Sequence, residues 1–276
     1  MFWYDPSGKK NITTMIKVLK KFILIQIFIL YCYCDIIQYS PFEIDVKAKH
    51  PNLSEINRIK EMYSEKPDTL RFAFLTDIHE NHDELKRAIS SINKQKSLMF
   101  VVCGGDVTNG GLVQQYNWYV DIIKECRYPF LTIIGNHDYL ANGKLIFEKI
   151  FGPTNYTLTI GDYKFIFFDD IIQENRSGSP KYHWLKIESS ETAYNQIFIA
   201  HIPVWSEMIN GIDQIVLSNL LKPDRVVLCL YGHNHCYVEE NDYNCLRSIV
   251  ADDIKGGEYL IVSLIGKEVI IERVKF

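Results

Sequence analysis

Five apolar runs in this chain break off into residues that bind metals or carry protons, and this repetition constrains the fold more than any other feature. Leu131-Thr132-Ile133-Ile134 has the β-branched composition of a buried strand and gives way at once to Gly135-Asn136-His137-Asp138. The same construction recurs where Arg71–Thr76 meets Asp77-Ile78-His79 and where Met99–Cys103 meets Gly104-Gly105-Asp106. It recurs again where Gln196–Ala200 meets His201, and where Arg225–Leu230 meets Tyr231-Gly232-His233-Asn234-His235. A buried strand that ends in this way delivers polar groups to the carboxyl edge of a sheet, where open α/β sheets place their ligands. Residues two apart on a strand face one side, so each Asp-x-His or His-x-His pair can point into a single site. One Gly-Asn-His-Asp alone would be weak, because Asn and Asp after Gly are ordinary turn residues.

Helical patterns separate the first three runs. Leu85, Ala88, Ile89 and Ile92 share a face within Asp83–Lys94, and Gln114–Cys126 reads as the next helix. This βαβαβ order implies parallel strands with right-handed crossovers. Tyr156–Ile160 and Tyr163–Phe168 then flank Gly161-Asp162, a two-residue hairpin. Helices are expected around Pro180–Ile187 and Asp213–Leu221, and antiparallel strands from about Arg247 to Phe276 with a turn at Gly266-Lys267. The pattern predicts an α/β chain built as a four-layer αββα sandwich, two mixed sheets face to face with helices outside.

The ends of the chain differ in kind. Lys9, Lys10, Lys17, Lys20 and Lys21 precede the apolar block Phe22–Cys34, which is short against the roughly 20 residues a membrane span needs. Residues 1–34 therefore read as a signal peptide or a membrane anchor, with Met15 as an alternative start. Residues 35–69 read as a tether broken by Pro41, Pro51 and Pro67, with a short helix placing Leu53, Ile56, Ile59 and Met62 on one face. Residues 70–276 form the expected catalytic domain. With 276 residues, nearly half hydrophobic (47%), the chain can bury a large core. A net charge of −4 gives no reason to expect non-specific binding of nucleic acid. The seven cysteines lack CxxC spacing, so neither a zinc knuckle nor a disulfide framework is indicated. Cys103 reads as core, and Cys236 and Cys245 as a pair only if the domain is exported.

The mixture of imidazole, carboxylate and amide oxygen at the five strand ends suits borderline divalent metals such as Mn, Fe, Zn, Co or Ni. The set Asp77-x-His79, Gly105-Asp106, Gly135-Asn136-His137-Asp138, His201 and Gly232-His233-Asn234-His235 resembles the calcineurin-like metallophosphoesterases, with all five motifs in that family's order. The resemblance covers residues 70 to about 250 and implies the metallo-dependent phosphatase fold. It further implies two metal ions and hydrolysis of phosphomono- or phosphodiesters through a metal-bridging hydroxide. On its terms Asp77, His79, Asp106 and His235 hold the first metal, and Asp106, Asn136, His201 and His233 the second. His137 contacts the phosphate and assists the leaving group, and Asp138 orients it. Asn109 stands where the purple acid phosphatase branch has a tyrosine ligand, so that branch is not indicated. A nuclease, a nucleotide-lipid pyrophosphatase and a catalytically silent binding scaffold of the same fold are the alternatives. Among the other histidines, His82 reads as a helix start, His50 as a solvent residue of the tether and His183 as a helix surface residue. Cys34 resembles the lipidated cysteine of exported lipoproteins in Bacteroides-like bacteria, although Tyr31-Cys32-Tyr33 replaces the usual small residues. The expected location is therefore the cell envelope, with the N-terminus as the membrane partner and a phosphoester as the small-molecule partner.

Overall fold

The computed structural model describes residues 9–33, 40, 43–63, 67–175, 178–241 and 246–276. The chain divides into two compact units, Met1–Ser40 and Pro41–Phe276. The first contains helix α1 (Lys9–Tyr33), along which Met15, Phe22, Leu24 and Phe28 are exposed. No helix among the described residues is long and apolar enough to cross a membrane. Cys34 and Cys245 lie outside the described residues, and Cys236 is exposed with a free thiol.

In the second unit the expected alternation is present. Helix α2 (Asn52–Met62) leads into β1 (Leu70–Leu75), α3 (His82–Ile92), β2 (Phe100–Cys103), α4 (Val113–Ile123) and β3 (Phe130–Thr132). After α5 (Gly143–Phe151) come β4 (Tyr156–Ile160) and β5 (Tyr163–Phe167), then α6 (Tyr182–Ser189), β6 (Asn195–Ile199), α7 (Gly211–Leu220) and β7 (Val226–Tyr231). The chain closes with β8 (Val238–Asn241), β9 (Arg247–Val250), β10 (Glu258–Ile265) and β11 (Glu268–Lys275). One sheet has the order β11-β10-β1-β2-β3 and the other β4-β5-β6-β7-β9-β8. Both are mixed: β1–β2–β3 run parallel with β10 antiparallel beside β1, and β5–β6–β7–β9 run parallel between antiparallel β4 and β8.

Alternation along the strands divides the core. Phe72, Phe74, Phe100, Val102, Phe165, Phe167, Ile197, Ile199, Leu228 and Leu230 join one cluster between the sheets. Phe72 stacks on Phe100 at 5.2 Å and meets Phe165 edge-on at 5.4 Å. Ala73, Leu75, Val101 and Cys103 point the other way and pack with Leu85, Ile89, Tyr116 and Val120 of α3 and α4. Each large side chain buried this way contributes roughly 1.5–3 kcal/mol. The arrangement aligns the carboxyl ends of β1, β2, β3, β6 and β7 along one rim.

Four expectations need correction. The segment from residue 43 to α2 is no tether, because it belongs to the compact second unit. Asn52 is buried, donates to the Thr132 carbonyl at 2.8 Å and accepts from the Thr132 amide at 3.0 Å, so its side chain caps the outer edge of β3. That pairing sets the helix rotation: Ile56 and Ile59 follow Asn52 inward, while Leu53 and Met62 are exposed. His50 is half-buried and bonded to the Phe130 carbonyl at 3.1 Å instead of facing solvent, and burial lowers its pKa. Finally, β9 runs parallel to β7 and pairs antiparallel with β8, a charged edge strand that apolar patterning does not reveal.

Candidate metal centre

All seven predicted ligands meet at the rim where the five strands end. Among the described residues seven non-glycine residues have positive φ, and five of them are Asp77 (53°), His79 (48°), Asp106 (51°), His233 (72°) and His235 (52°). Left-handed backbone of this kind disfavours branched and bulky residues and clusters at functional sites. Two glycines make the close approach possible. A Cβ on Gly135 would collide with the carboxylate and backbone nitrogen of Asp106, and one on Gly232 would collide with Thr76 and lie 2.5 Å from Asp77 Oδ2.

Each buried aspartate commits one oxygen to the framework and leaves the other facing the histidines. Asp77 Oδ2 accepts from the Thr76 hydroxyl at 2.8 Å and the His233 amide at 2.9 Å. Its Oδ1 lacks a well-formed hydrogen bond and sits 3.2 Å from His235 Nε2 and 4.0 Å from His201 Nε2. Asp106 Oδ1 accepts from the His137 amide at 2.8 Å. Its Oδ2 lies between two groups of rings, 3.3 Å from His201 Nε2 and 3.9 Å from His79 Nε2. On the first side His79 Nε2 and His235 Nε2 approach to 3.3 Å. On the second, Asn136 Oδ1 lies 3.2 Å from His201 Nε2 and 3.1 Å from His233 Nδ1.

The histidines are held from behind. His201 is fully buried with Nδ1 2.8 Å from the Gly104 carbonyl, which aims Nε2 at Asp106. His235 Nδ1 faces Asp253 Oδ2 at 3.7 Å. Without cations the charges resolve into an ion pair. Burial opposes the proton on His201, yet Asp106 holds its pKa up to about 10. Burial likewise opposes the charge on Asp106, and His201 nonetheless holds it down to about 2. Burial, with His201 nearby, pushes His233 down to about 4. An unsatisfied buried carboxylate oxygen, facing imidazole nitrogens and a proton trapped on the central histidine together describe a donor set built for cations. Oxygen and nitrogen donors on two sides of one shared carboxylate oxygen fit two divalent ions.

Ligand-type atoms lie within 4.8 Å of one another in three sets: Asp77, His79 and His235; Asp77, Asp106 and His201; His79, Asp106 and His137. His137, expected near the metals but not as a ligand, borders the first side, its ring centroid 4.8 Å from that of His79. Its Nδ1 is 3.1 Å from the Asn109 carbonyl, which leaves Nε2 to face the site.

Asp138 departs from its expected role. Fully buried, it accepts from the amides of Val107 (3.1 Å), Thr108 (2.9 Å) and Gly135 (3.0 Å) and from the Thr108 hydroxyl (2.8 Å). All four bonds go to loop donors, so Asp138 fastens the Asp106 loop to the Gly135 turn, and the ring of His137 is oriented by Asn109 instead. Burial and the Asp106 charge push Asp138 up to about 7 against the pull of those donors.

Motif reading also missed supporting groups. Fully buried Asp170 accepts from the Ile202 amide at 3.0 Å, next to His201, and burial pushes it up to about 7. Glu174 accepts from Asn136 Nδ2 at 3.4 Å. A signal for the first was present: the run Tyr163–Phe168 also ends abruptly, in Asp169-Asp170.

Known proteins resemble the chain in sequence and in fold. The chain is 23% identical over 187 residues to a probable cyclic nucleotide phosphodiesterase of Xenorhabdus bovienii, covering 59% of this chain and 71% of the relative. It is 29% identical over 176 residues to a probable glycerophosphodiester phosphodiesterase of Arcobacter nitrofigilis, covering 56% of this chain but only 63% of that relative. The fold matches the crystal structure of a dimetal phosphatase from Danio rerio with a TM-score of 0.58 at 12% identity, over 75% of this chain and 96% of the other. The family model for calcineurin-like phosphoesterases matches residues 70–237, a span that opens at β1 and takes in every candidate ligand described above, from Asp77 to His235. The chain therefore belongs to the calcineurin-like phosphoesterase family.

Proposed function

We propose that this phosphoesterase acts on phosphodiesters, with Asp77, His79, His235 and Asp106 holding one metal and Asp106, Asn136, His201 and His233 the other. The observation that carries the ligand assignment is the position of Asp106 Oδ2 between the two groups of rings. When bound, two divalent ions supply Lewis-acid polarisation of the phosphoryl oxygens and lower the pKa of the attacking water. The chain's own residues do the rest. The Asp138 clamp holds the loops of Asp106 and Asn136 in register. His137, with Nδ1 anchored on the Asn109 carbonyl, presents Nε2 to the substrate and hands a proton to the departing oxygen. The preference for diesters is supported by the names of both curated relatives. Purified protein loaded with Mn²⁺ should hydrolyse bis(p-nitrophenyl) phosphate with a higher kcat/KM than p-nitrophenyl phosphate. A preference for the monoester would overturn the diester reading, and inactivity toward both would overturn the hydrolytic one.

We further propose that the N-terminal segment exports the domain and tethers it to a membrane at Cys34. Support comes from the lysines ahead of the apolar block Phe22–Cys34. Cys34→Ser should release the protein from the membrane fraction or block its processing; unchanged retention would favour an uncleaved anchor, and a wild type found only in the cytosol would defeat both.

A further inference from the structure

An asparagine ligand has a weakness that aspartate lacks: its amide presents an oxygen in one orientation and two N–H donors in the other, on almost the same shape. Only the oxygen can face a cation. Asn136 Oδ1 sits within 3.2 Å of His201 Nε2 and 3.1 Å of His233 Nδ1. Its Nδ2 makes one hydrogen bond among the described residues, to Glu174 Oε1 at 3.4 Å. An ionised carboxylate can only accept, so Glu174 tolerates the N–H side of that amide and repels the oxygen side. Glu174 lies in the loop after β5, remote in sequence from every motif, and its Oε2 is buried without a hydrogen-bond partner.

We infer that Glu174 is a positioning residue that locks the amide of Asn136 with its oxygen toward the second metal subsite. The inference rests on the ligand assignment proposed above and deepens it, since it names what keeps the neutral ligand in its productive orientation. Groups behind a metal ligand typically change metal affinity by about 10–100-fold when removed. The effect should fall on the second metal, because the hydrogen bond of Glu174 is to Asn136, a ligand assigned to that metal only.

The test is a titration of the full chain with Mn²⁺ by calorimetry, paired with the electron paramagnetic resonance signature of an exchange-coupled Mn²⁺ pair. Wild type should bind two ions. Glu174→Leu should keep the tighter ion and weaken the other by about 10–100-fold, with loss of the coupled signal at limiting Mn²⁺. Glu174→Gln, whose Oε1 can still accept from Asn136, should restore most of that affinity. The decisive background is Asn136→Asp, in which both side-chain oxygens can face a cation and no orientation needs to be held. There Glu174→Leu should cost little, only the loss of one negative charge near the second ion, far less than in the Asn136 background. Equal weakening of both ions, wild-type binding in Glu174→Leu, or the same penalty in both backgrounds would each overturn the inference while leaving the ligand assignment standing. A wild type that binds no pair of ions would overturn the assignment and the inference with it.

Discussion

Replacing Asp138 by Asn separates two accounts of a residue that motif reading alone misplaces. The carboxylate takes four hydrogen bonds, two at each oxygen. Asparagine retains one accepting oxygen. With its NH₂ toward Thr108, the hydroxyl can turn to accept, but the Thr108 amide is left buried without an acceptor; the opposite orientation strands the amides of Val107 and Gly135. The cheaper orientation orphans one buried N–H at about 1–3 kcal/mol and weakens the surviving bonds by removing the charge, for a total of about 2–4 kcal/mol. At about 2–4 °C per kcal/mol for a domain of this size, the metal-free protein should melt roughly 4 °C lower or more. The pH dependence has a definite sign. Burial lifts Asp138 from 3.8 to about 7, so the folded state binds the proton more tightly and wild-type stability falls as pH rises between those values. The penalty of the substitution is therefore larger at pH 6 than at pH 8. Because the damage lands on the loops of Asp106 and Gly135, metal affinity should fall, and kcat/KM should drop by the same factor on alkyl and nitrophenyl diesters. Retained metals with a loss confined to the alkyl ester would refute this reasoning and restore Asp138 as the group that acts through His137.

His137→Ala should give that second pattern: metals retained, and a loss of about 10²–10⁴-fold on alkyl diesters that shrinks on nitrophenyl esters, whose leaving group needs no proton; equal losses would confine His137 to phosphate binding. Metal binding should release protons and strengthen as pH rises toward about 10, because a cation must displace the proton that Asp106 keeps on His201. Calorimetry in buffers of different ionisation enthalpy reads this directly, and binding at pH 7 without proton release would contradict it. The same ion pair stabilises the metal-free fold fully between about pH 3.8 and 6.5, and is lost as pH rises through about 10 or falls through about 2. Asn52→Ala should destabilise by about 1–3 kcal/mol, because it strips both hydrogen bonds from the Thr132 backbone; denaturant melts at unchanged metal affinity would check it.

The sequence reading succeeded where composition and position coincide. A buried parallel strand must be apolar along its whole length, so its end is marked by the first polar residue, and that residue stands on the rim. Asp77, Asp106, Asn136, His201 and His233 were legible for that reason. What stayed hidden depends on partners far apart in the chain. Asn136 and Glu174 meet only once β3 and β5 lie in facing sheets. The partners of Asp138 are backbone amides of a different loop, which no side-chain motif records. The face of α2 was misassigned because Leu53 and Met62 fit the apolar spacing, whereas the pairing of Asn52 with a strand edge outweighs it. Strand β8, Val238-Glu239-Glu240-Asn241, carries the charge that protects an edge, which erases the apolar signature of a strand.

The five candidate ligands with positive φ pose an energetic problem that the loops solve among themselves. Left-handed backbone costs roughly 1–2 kcal/mol per residue, so five such residues consume an amount comparable to the roughly 5–15 kcal/mol of net stability typical of a domain. Nothing in a single loop would hold that conformation. Four of them are fastened to another loop: Asp77 N to Gly105 O (3.1 Å), His79 N to Asp106 O (2.9 Å) and His233 N to Asp77 Oδ2 (2.9 Å), with Gly232 N bonded to His201 O (3.0 Å) beside His233. The Asp106 loop is tied in turn to the Gly135 turn through His137 N and Asp138. Asp77, His79, Asp106 and His233 are thus fixed by hydrogen bonds that run between loops, and those bonds need no cation. Metal ions bound to such a rim add stability as RT ln(1 + c/Kd), with c the free metal concentration, but the geometry that receives them is set by the sheets.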